Sequence, residues 1–334
     1  MNKTVLVTGA AGFIGSSVTQ ALLARGDSVV GMDDLNPYYS PKRKLANLTE
    51  VQSSAPDNQA FRFIQGDIRD RSLIGRLFAE HRFDSVVHIA GMPGIRDSIT
   101  NPALYYDINL NGTLTLLDGA VRRLTPKGQT TDLPRFIFAS TSSVYGATRR
   151  IPFVESDPCD MPLAPYPASK RAAELLGFTY HHLYHLPFTA LRLFTVYGPR
   201  GRPDMMAYKL ADSIFLGRNV PIYANGQMKR DWTYVDDIVR GIIAAVDLPM
   251  EYEIINLGRG ESVLLADFVG LIEELTRRKA NLTTAPMPDT DMPCTFADIS
   301  KARRLLGYDP SVSVQQGIAR FLAWYEEYVR NGNE

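Results

Sequence analysis

Tyr166 and Lys170 stand four residues apart in Tyr166-Pro167-Ala168-Ser169-Lys170, so on a helix they share one face. A tyrosine with a pKa of about 10 is a poor base at neutral pH. An ammonium beside it favours the phenolate and moves it toward useful basicity. Upstream, Ser140-Thr141-Ser142-Ser143 follows the apolar run Arg135-Phe136-Ile137-Phe138-Ala139, which places hydroxyls at the C-terminal end of a buried strand. Thr141, Ser142, Tyr166 and Lys170 are therefore candidate catalytic residues for taking a proton from an alcohol. The pair alone also fits an aromatic and a lysine on an exposed helix; only the combination with a hydride carrier makes it chemical.

That carrier is indicated at the N-terminus. The β-branched apolar run Thr4-Val5-Leu6-Val7 leads directly into Thr8-Gly9-Ala10-Ala11-Gly12-Phe13-Ile14-Gly15 and then a helix-forming stretch. Gly9, Gly12 and Gly15 allow a tight turn, close backbone approach to a pyrophosphate and close helix-to-strand packing. The free N–H groups opening the helix, at Phe13 and Ile14, would face the phosphates. A second strand, 28–32, ends in Asp33-Asp34, where an acid meets the adenosine ribose and repels a 2′-phosphate. NAD is thus expected over NADP, although Lys42, Arg43 and Lys44 follow shortly. Asp33 and Asp34 could instead merely open a turn before Asn36-Pro37.

These groups need a scaffold that delivers strand ends to one place. Strands expected at 4–7, 28–32, 61–65, 85–89, 135–139 and 188–193 alternate with helices near 13–25, 71–80, 102–123, 165–184 and 204–217. The alternation predicts an α/β, Rossmann-type doubly wound parallel sheet. Pro126 to Pro134 reads as a polar loop. Further on, a helix near 236–247 should return to the first domain, 253–257 should add a strand, and 267–279 and 314–330 should be amphipathic helices. The expected division is a dinucleotide-binding domain of 1–193 with 228–258, and a smaller α/β C-terminal substrate domain of 194–227 with 259–334. A cleft between them would hold the substrate.

Composition narrows the remaining classes. The 334 residues are 45% hydrophobic and 22% charged, ordinary for a globular chain. Lys plus Arg and Asp plus Glu both number 36, so no net field favours nucleic acid or an anionic membrane. Cys159 and Cys294 are the only cysteines, and His181 and His185, at i, i+4 spacing, have no evident third ligand, so no metal is expected. The chain starts a strand by residue 4, with no signal-peptide core and no apolar run of membrane-spanning length, and a cytoplasmic location is expected.

The glycine loop, hydroxyl cluster and Tyr-x-x-x-Lys resemble the extended short-chain dehydrogenase/reductase family, particularly its nucleotide-sugar epimerases and dehydratases. The likeness includes Gly66-Asp67-Ile68-Arg69-Asp70, His88-Ile89-Ala90-Gly91, Asn109 to Thr113, Arg230-Asp231-Trp232-Thr233-Tyr234-Val235-Asp236-Asp237, Asn256-Leu257-Gly258 and Ala297 to Ala302. Phe194 to Met205 most resembles the UDP-glucuronate 4-epimerases. The resemblance implies that Asp67, Ile68 and Ala90 join Gly9, Gly12, Phe13, Ile14, Gly15 and Asp33 around NAD, with Lys170 on the nicotinamide ribose and Tyr166 as base. It further implies a UDP-sugar held by Arg96, Ser142, Ser143, Thr195, Arg200, Arg202, Arg230 and Asp291, and a homodimer built from helices near 102–123 and 165–184. The segment Gly91-Met92-Pro93-Gly94-Ile95-Arg96-Asp97-Ser98 departs from the usual pattern.

Relatives that dehydrate or decarboxylate the sugar carry acids in the hydroxyl segment; here Ser142 and Ser143 stand instead, and hydroxyls are no proton reservoir near pH 7. The expected reaction is therefore hydride out and hydride back at C4, interconverting UDP-glucuronate and UDP-galacturonate through a 4-keto sugar. The alternatives are a UDP-glucose 4-epimerase, a UDP-glucuronate decarboxylase and a non-catalytic NAD-sensing protein.

Overall fold

Thr4–Thr8 sits inside a seven-stranded parallel sheet, flanked by Ser28–Asp33 on one side and Ser85–His88 on the other. The full order is Tyr252–Leu257, Phe188–Leu193, Arg135–Thr141, Ser85–His88, Thr4–Thr8, Ser28–Asp33, Phe61–Gln65. A computed structural model describes residues 2–57, 59–122 and 133–330. Both faces of the sheet are covered, which is why its strands read as continuous apolar runs. Val5 and Val7 join one core with Val29, Val87 and Ile137, while Leu6 joins the other with Val30, Val86, Phe136 and Phe138.

The connection reverses direction between Thr4–Thr8 and Ser85–His88, and at such a switch point the loops after two neighbouring strands splay apart and open a crevice. Gly9 occupies that point with φ +73°, and a Cβ there would lie 2.8 Å from the Ala90 nitrogen. Side chains are excluded where the two strand ends meet, so the first glycine is fixed by the fold itself.

Helices Phe13–Ala24, Arg71–Glu80, Pro165–Tyr184, Met206–Leu216, Val235–Asp247, Leu265–Thr276 and Val314–Arg330 lie where the sequence places them, within a few residues. Val235–Asp247 packs against Phe13–Ala24, with Arg25 donating to Asp247 at 2.6 Å. Two readings need correction. The helix expected over 102–123 is broken into Pro102–Tyr106, a π-turn at Asp107–Asn111 and Gly112–Val121. Pro41–Ser54 is a helix that periodicity did not reveal, because its first turn, Pro-Lys-Arg-Lys, has no apolar residue. The loop expected from Pro126 falls mostly outside the described residues.

Three small sheets stand beyond the Leu193 end of the large one. Thr195–Tyr197 pairs with Trp232–Tyr234, Val220–Tyr223 with Leu282–Ala285, and Lys229–Arg230 lies between Val263–Leu264 and Cys294–Thr295. Trp232 stacks on Phe268 at 3.9 Å between ring centroids, tying the second of these strands to helix Leu265–Thr276. Asp231 is buried beneath them and accepts from Thr233 Oγ1 and from the backbone N–H groups of Arg259, Gly260 and Ala297. It therefore makes no ion pair with its neighbour Arg230. Among the described residues no helix is long and apolar enough to cross a membrane, and no cluster of acids, histidines or cysteines could hold a metal.

Candidate active site

A cleft of about 760 Å³ runs from the glycine loop past the end of Arg135–Thr141 to the small sheets. Gly9, Gly12, Phe13, Ile14, Gly15, Asp33, Asp67, Ile68 and Ala90 line one end. Thr141, Ser142, Ser143, Tyr166, Lys170, Thr195 and Arg202 line the middle, and Arg96, Arg230 and Asp291 the other end. Residues scattered over most of the chain thus meet in one cavity. Arg200 is the exception among the expected contacts. Its side chain turns away, donating to Ser17 Oγ at 3.2 Å and lying 3.4 Å from Glu50, because its backbone is left-handed at φ +64°.

The dinucleotide end is built to receive an anion and a ribose. Helix Phe13–Ala24 starts at Gly12, whose lack of a side chain leaves the first-turn N–H groups without a side-chain cap. Asp33 closes the end of its strand. Its carboxylate accepts from Leu35 N at 2.8 Å and Ala11 N at 3.2 Å, with Lys44 Nζ at 3.5 Å. Burial pushes its pKa up, opposed by the Lys44 ammonium. Asp67 is held by Arg69, which also reaches Asp107, and this pairing keeps the Asp67 pKa low.

Tyr166 and Lys170 occupy successive turns of Pro165–Tyr184, a helix opened by Pro165 in its first turn. The Thr141 hydroxyl lies near Tyr166 and donates to Ser143 Oγ at 3.2 Å. The expected lowering of the tyrosine is not what the chain's own groups achieve. Burial raises Tyr166, and the opposing pull comes from the Arg202 cation and Thr141 rather than from Lys170. Lys170, whose Nζ lies 4.4 Å over the Phe138 ring, is itself brought down to about 7 by burial, against the raising effect of Glu174.

Asn109 sits on the π-turn, a feature frequent at functional sites. Its side chain accepts from Met92 N at 2.7 Å and donates to Met92 O at 3.1 Å and Ser169 Oγ at 3.0 Å. The atypical 91–98 segment is thereby pinned to the Tyr166 helix. Tyr38 donates to Asp97 at 2.7 Å and Tyr105 to Pro93 O at 2.6 Å, completing its anchorage. His88 is a packed residue, hydrogen-bonded to Thr8 at 2.8 Å and Thr113 at 2.9 Å.

Opposite Tyr166, Arg202 forks onto Asp204 through two contacts of 2.9 Å. Further along, Arg96 donates to Tyr223 at 2.7 Å and pairs with Asp291 at 3.1 Å, crossing from the large sheet's side to the small sheets. Arg230 donates to the backbone carbonyls of Lys229 and Met292. Tyr38, Tyr39 and Tyr223 also line the cleft and were not anticipated. Neither a motif nor a spacing marks them; only the fold brings them in.

Residues 6–321 match the model of the family described as GDP-mannose 4,6 dehydratase. A UDP-glucuronate 4-epimerase of Thermodesulfobacterium geofontis is 40% identical over 329 residues, covering 97% of this chain and 96% of the relative. UDP-glucuronate 4-epimerase 4 of Arabidopsis thaliana is 39% identical over 342 residues, 97% of this chain and 76% of its own. Among solved structures, the UDP-glucuronic acid 4-epimerase from Bacillus cereus, in complex with UDP-glucuronic acid and NAD, superimposes with a TM-score of 0.87 at 33% identity, covering 97% and 99% of the two chains.

Proposed function

The chain belongs to the extended short-chain dehydrogenase/reductase family, and on that premise we propose that it is an isomerase that epimerises UDP-glucuronate at C4 to UDP-galacturonate with NAD. The observation that carries this is the meeting, in one cleft, of the glycine loop, the Thr141–Tyr166–Lys170 group and an all-hydroxyl segment, Ser140 to Ser143. The uncapped helix start and Asp33 suit a pyrophosphate and an unphosphorylated ribose, so the residues present fit NAD. When bound, NAD supplies reversible hydride acceptance at the sugar's C4.

The protein's own groups handle the proton and the geometry. Tyr166 takes the C4 hydroxyl proton, and Thr141 shares the hydrogen bond that steadies the phenolate. Lys170, one turn away, would hold the nicotinamide ribose. After the 4-keto sugar turns over in the cleft, Tyr166 returns the proton on the other face. That intermediate is a β-keto acid, so its carboxylate must be held where the C5–C6 bond does not align with the carbonyl. Ser142, Ser143, Thr195 and Arg202, which line the middle of the cleft, would do so through charge-assisted hydrogen bonds. Arg96, Arg230 and Asp291 serve the UDP end.

We assign the dinucleotide to residues 1–193 with 228–258 and the sugar nucleotide to 194–227 with 259–334. A homodimer is supported by Leu175, Phe178 and Leu183, apolar side chains exposed on Pro165–Tyr184. A cytoplasmic location is in keeping with two unpaired cysteines.

Product analysis by NMR tests the reaction. UDP-glucuronate should give UDP-galacturonate without UDP-pentose, and Tyr166→Phe should lose turnover by about 10³-fold or more while retaining NAD. A pentose as main product would replace the epimerase with a decarboxylase, and conversion of UDP-glucose alone would move the substrate to a neutral sugar.

A further inference from the structure

One helix, Pro41–Ser54, touches both ends of the chemistry. Toward the dinucleotide, Asn47 donates to the glycine-loop carbonyl of Ala11 at 2.9 Å and Lys44 approaches Asp33. Toward the sugar, Arg43 donates to Gly201 O at 3.0 Å, with its guanidinium 4.3 Å over the Tyr208 ring, and Glu50 faces Arg200. Arg200 also reaches Ser17, whose own hydroxyl donates to Phe13 O in the first turn of the phosphate-facing helix. The loop that presents Arg202 is therefore stapled, at Arg200 and at Gly201 just before it, to the two helices that frame the dinucleotide.

These staples are held against local cost. Arg200 is a non-glycine residue in the left-handed region and is largely buried, and its Nη1 meets only the Glu50 carboxylate, at 3.4 Å and without hydrogen-bond geometry. Strain that persists in this way is set by surrounding structure and concentrates where geometry matters. We propose that Arg43 and Arg200 are positioning residues that fix the Arg202 loop and thereby decide whether the 4-keto uronate is returned as an epimer or loses CO2; this rests on the reading above. In the second course the C5–C6 bond breaks and its electron pair forms the C4 enolate. CO2 leaves, C5 takes a proton from water, and return of the hydride and of the Tyr166 proton gives a UDP-pentose.

The test compares the full-length wild type with Arg43→Gln, Arg200→Gln, Arg200→Lys and Glu50→Gln, using UDP-glucuronate with saturating NAD and NMR product analysis. For the two Gln variants at arginine, KM for UDP-glucuronate should rise about tenfold, as small displacements of a binding group do, and UDP-pentose should appear. The dissociation constant for UDP itself should change less than about twofold, since the loop does not hold the nucleotide. Arg200→Lys, which keeps a cation toward Glu50, should recover part of the loss. Glu50→Gln, at a half-exposed site, should move in the same direction by a smaller factor, and it decides the matter if an arginine variant fails to fold. Wild-type KM and products in the folded variants, or equal losses for UDP and UDP-glucuronate, would overturn the positioning role alone. A wild type that does not epimerise UDP-glucuronate would instead overturn the functional reading beneath it.

Discussion

Along one face of Pro165–Tyr184, Tyr166, Lys170 and Glu174 occupy successive turns, yet the two ends of that face treat charge in opposite ways. At Glu174 both carboxylate oxygens are paired. Its carboxylate accepts from Ser140 at 2.5 Å, from Arg192 at 3.0 and 2.9 Å, and from Arg171 at 3.0 Å, while Arg192 also lies 4.7 Å over the Tyr145 ring. At Lys170, among the described residues, no carboxylate comes within ion-pair distance, and burial brings the amine to about 7. Closed charge fixes the end of the strand that carries Thr141. Poorly compensated charge in a cleft is where protons can move.

The largest effect that could break this contrast is at Glu174. Glu174→Ala leaves Arg192 as an unpaired buried cation, and breaking such a pair costs about 3–5 kcal/mol. Urea unfolding should register that loss; a change under about 1 kcal/mol would mean the cluster is not closed in the sense described. The opposite sign is expected one turn earlier. Lys170→Met should lose turnover yet gain about 1–3 kcal/mol of stability at pH 6, as removal of a strained functional group often does. The gain has a pH signature. The folded amine titrates near 7 and the unfolded one near 10.5, so the penalty is full below 7 and fades as pH climbs toward 10.5. A gain that stays constant over that window would assign it to packing instead of charge.

What could be read in the sequence follows the same division. The glycine loop, Asp33, the hydroxyl segment and Tyr166–Lys170 were legible because each is local: a strand, a turn and a helix met in order, with periodicity to place them. Arg200 was misplaced because its direction depends on a left-handed backbone at a single residue, which no residue-type pattern announces in Arg-Gly-Arg-Pro. The helix Pro41–Ser54 was missed because its face is used for cations and amides, leaving a weak apolar stripe of Leu48 and Val51. The π-turn at Asn109 was invisible for a different reason. It adds one residue to a helical turn, and the sequence on either side still reads as one helix. The small sheets, assembled from strands of two to four residues far apart in the chain, carry too little periodicity to be seen at all.

The finest distinction concerns whether the closed end of the helix face speaks to the open end. Glu174 is the one influence that raises Lys170 against the effect of burial. Glu174→Gln preserves an acceptor for Ser140 but removes the charge, so burial should carry the amine below 7. Turnover that needs the ammonium is lost as pH rises through that value, and the falling limb of the kcat/KM profile should therefore move toward acid, by about one pH unit. Glu174→Asp, which keeps the charge, should leave the limb where it was even if stability falls. An unmoved limb in Glu174→Gln would show that the two ends are neighbours without being coupled, and the carboxylate's role would then be confined to holding Arg192 and the strand end.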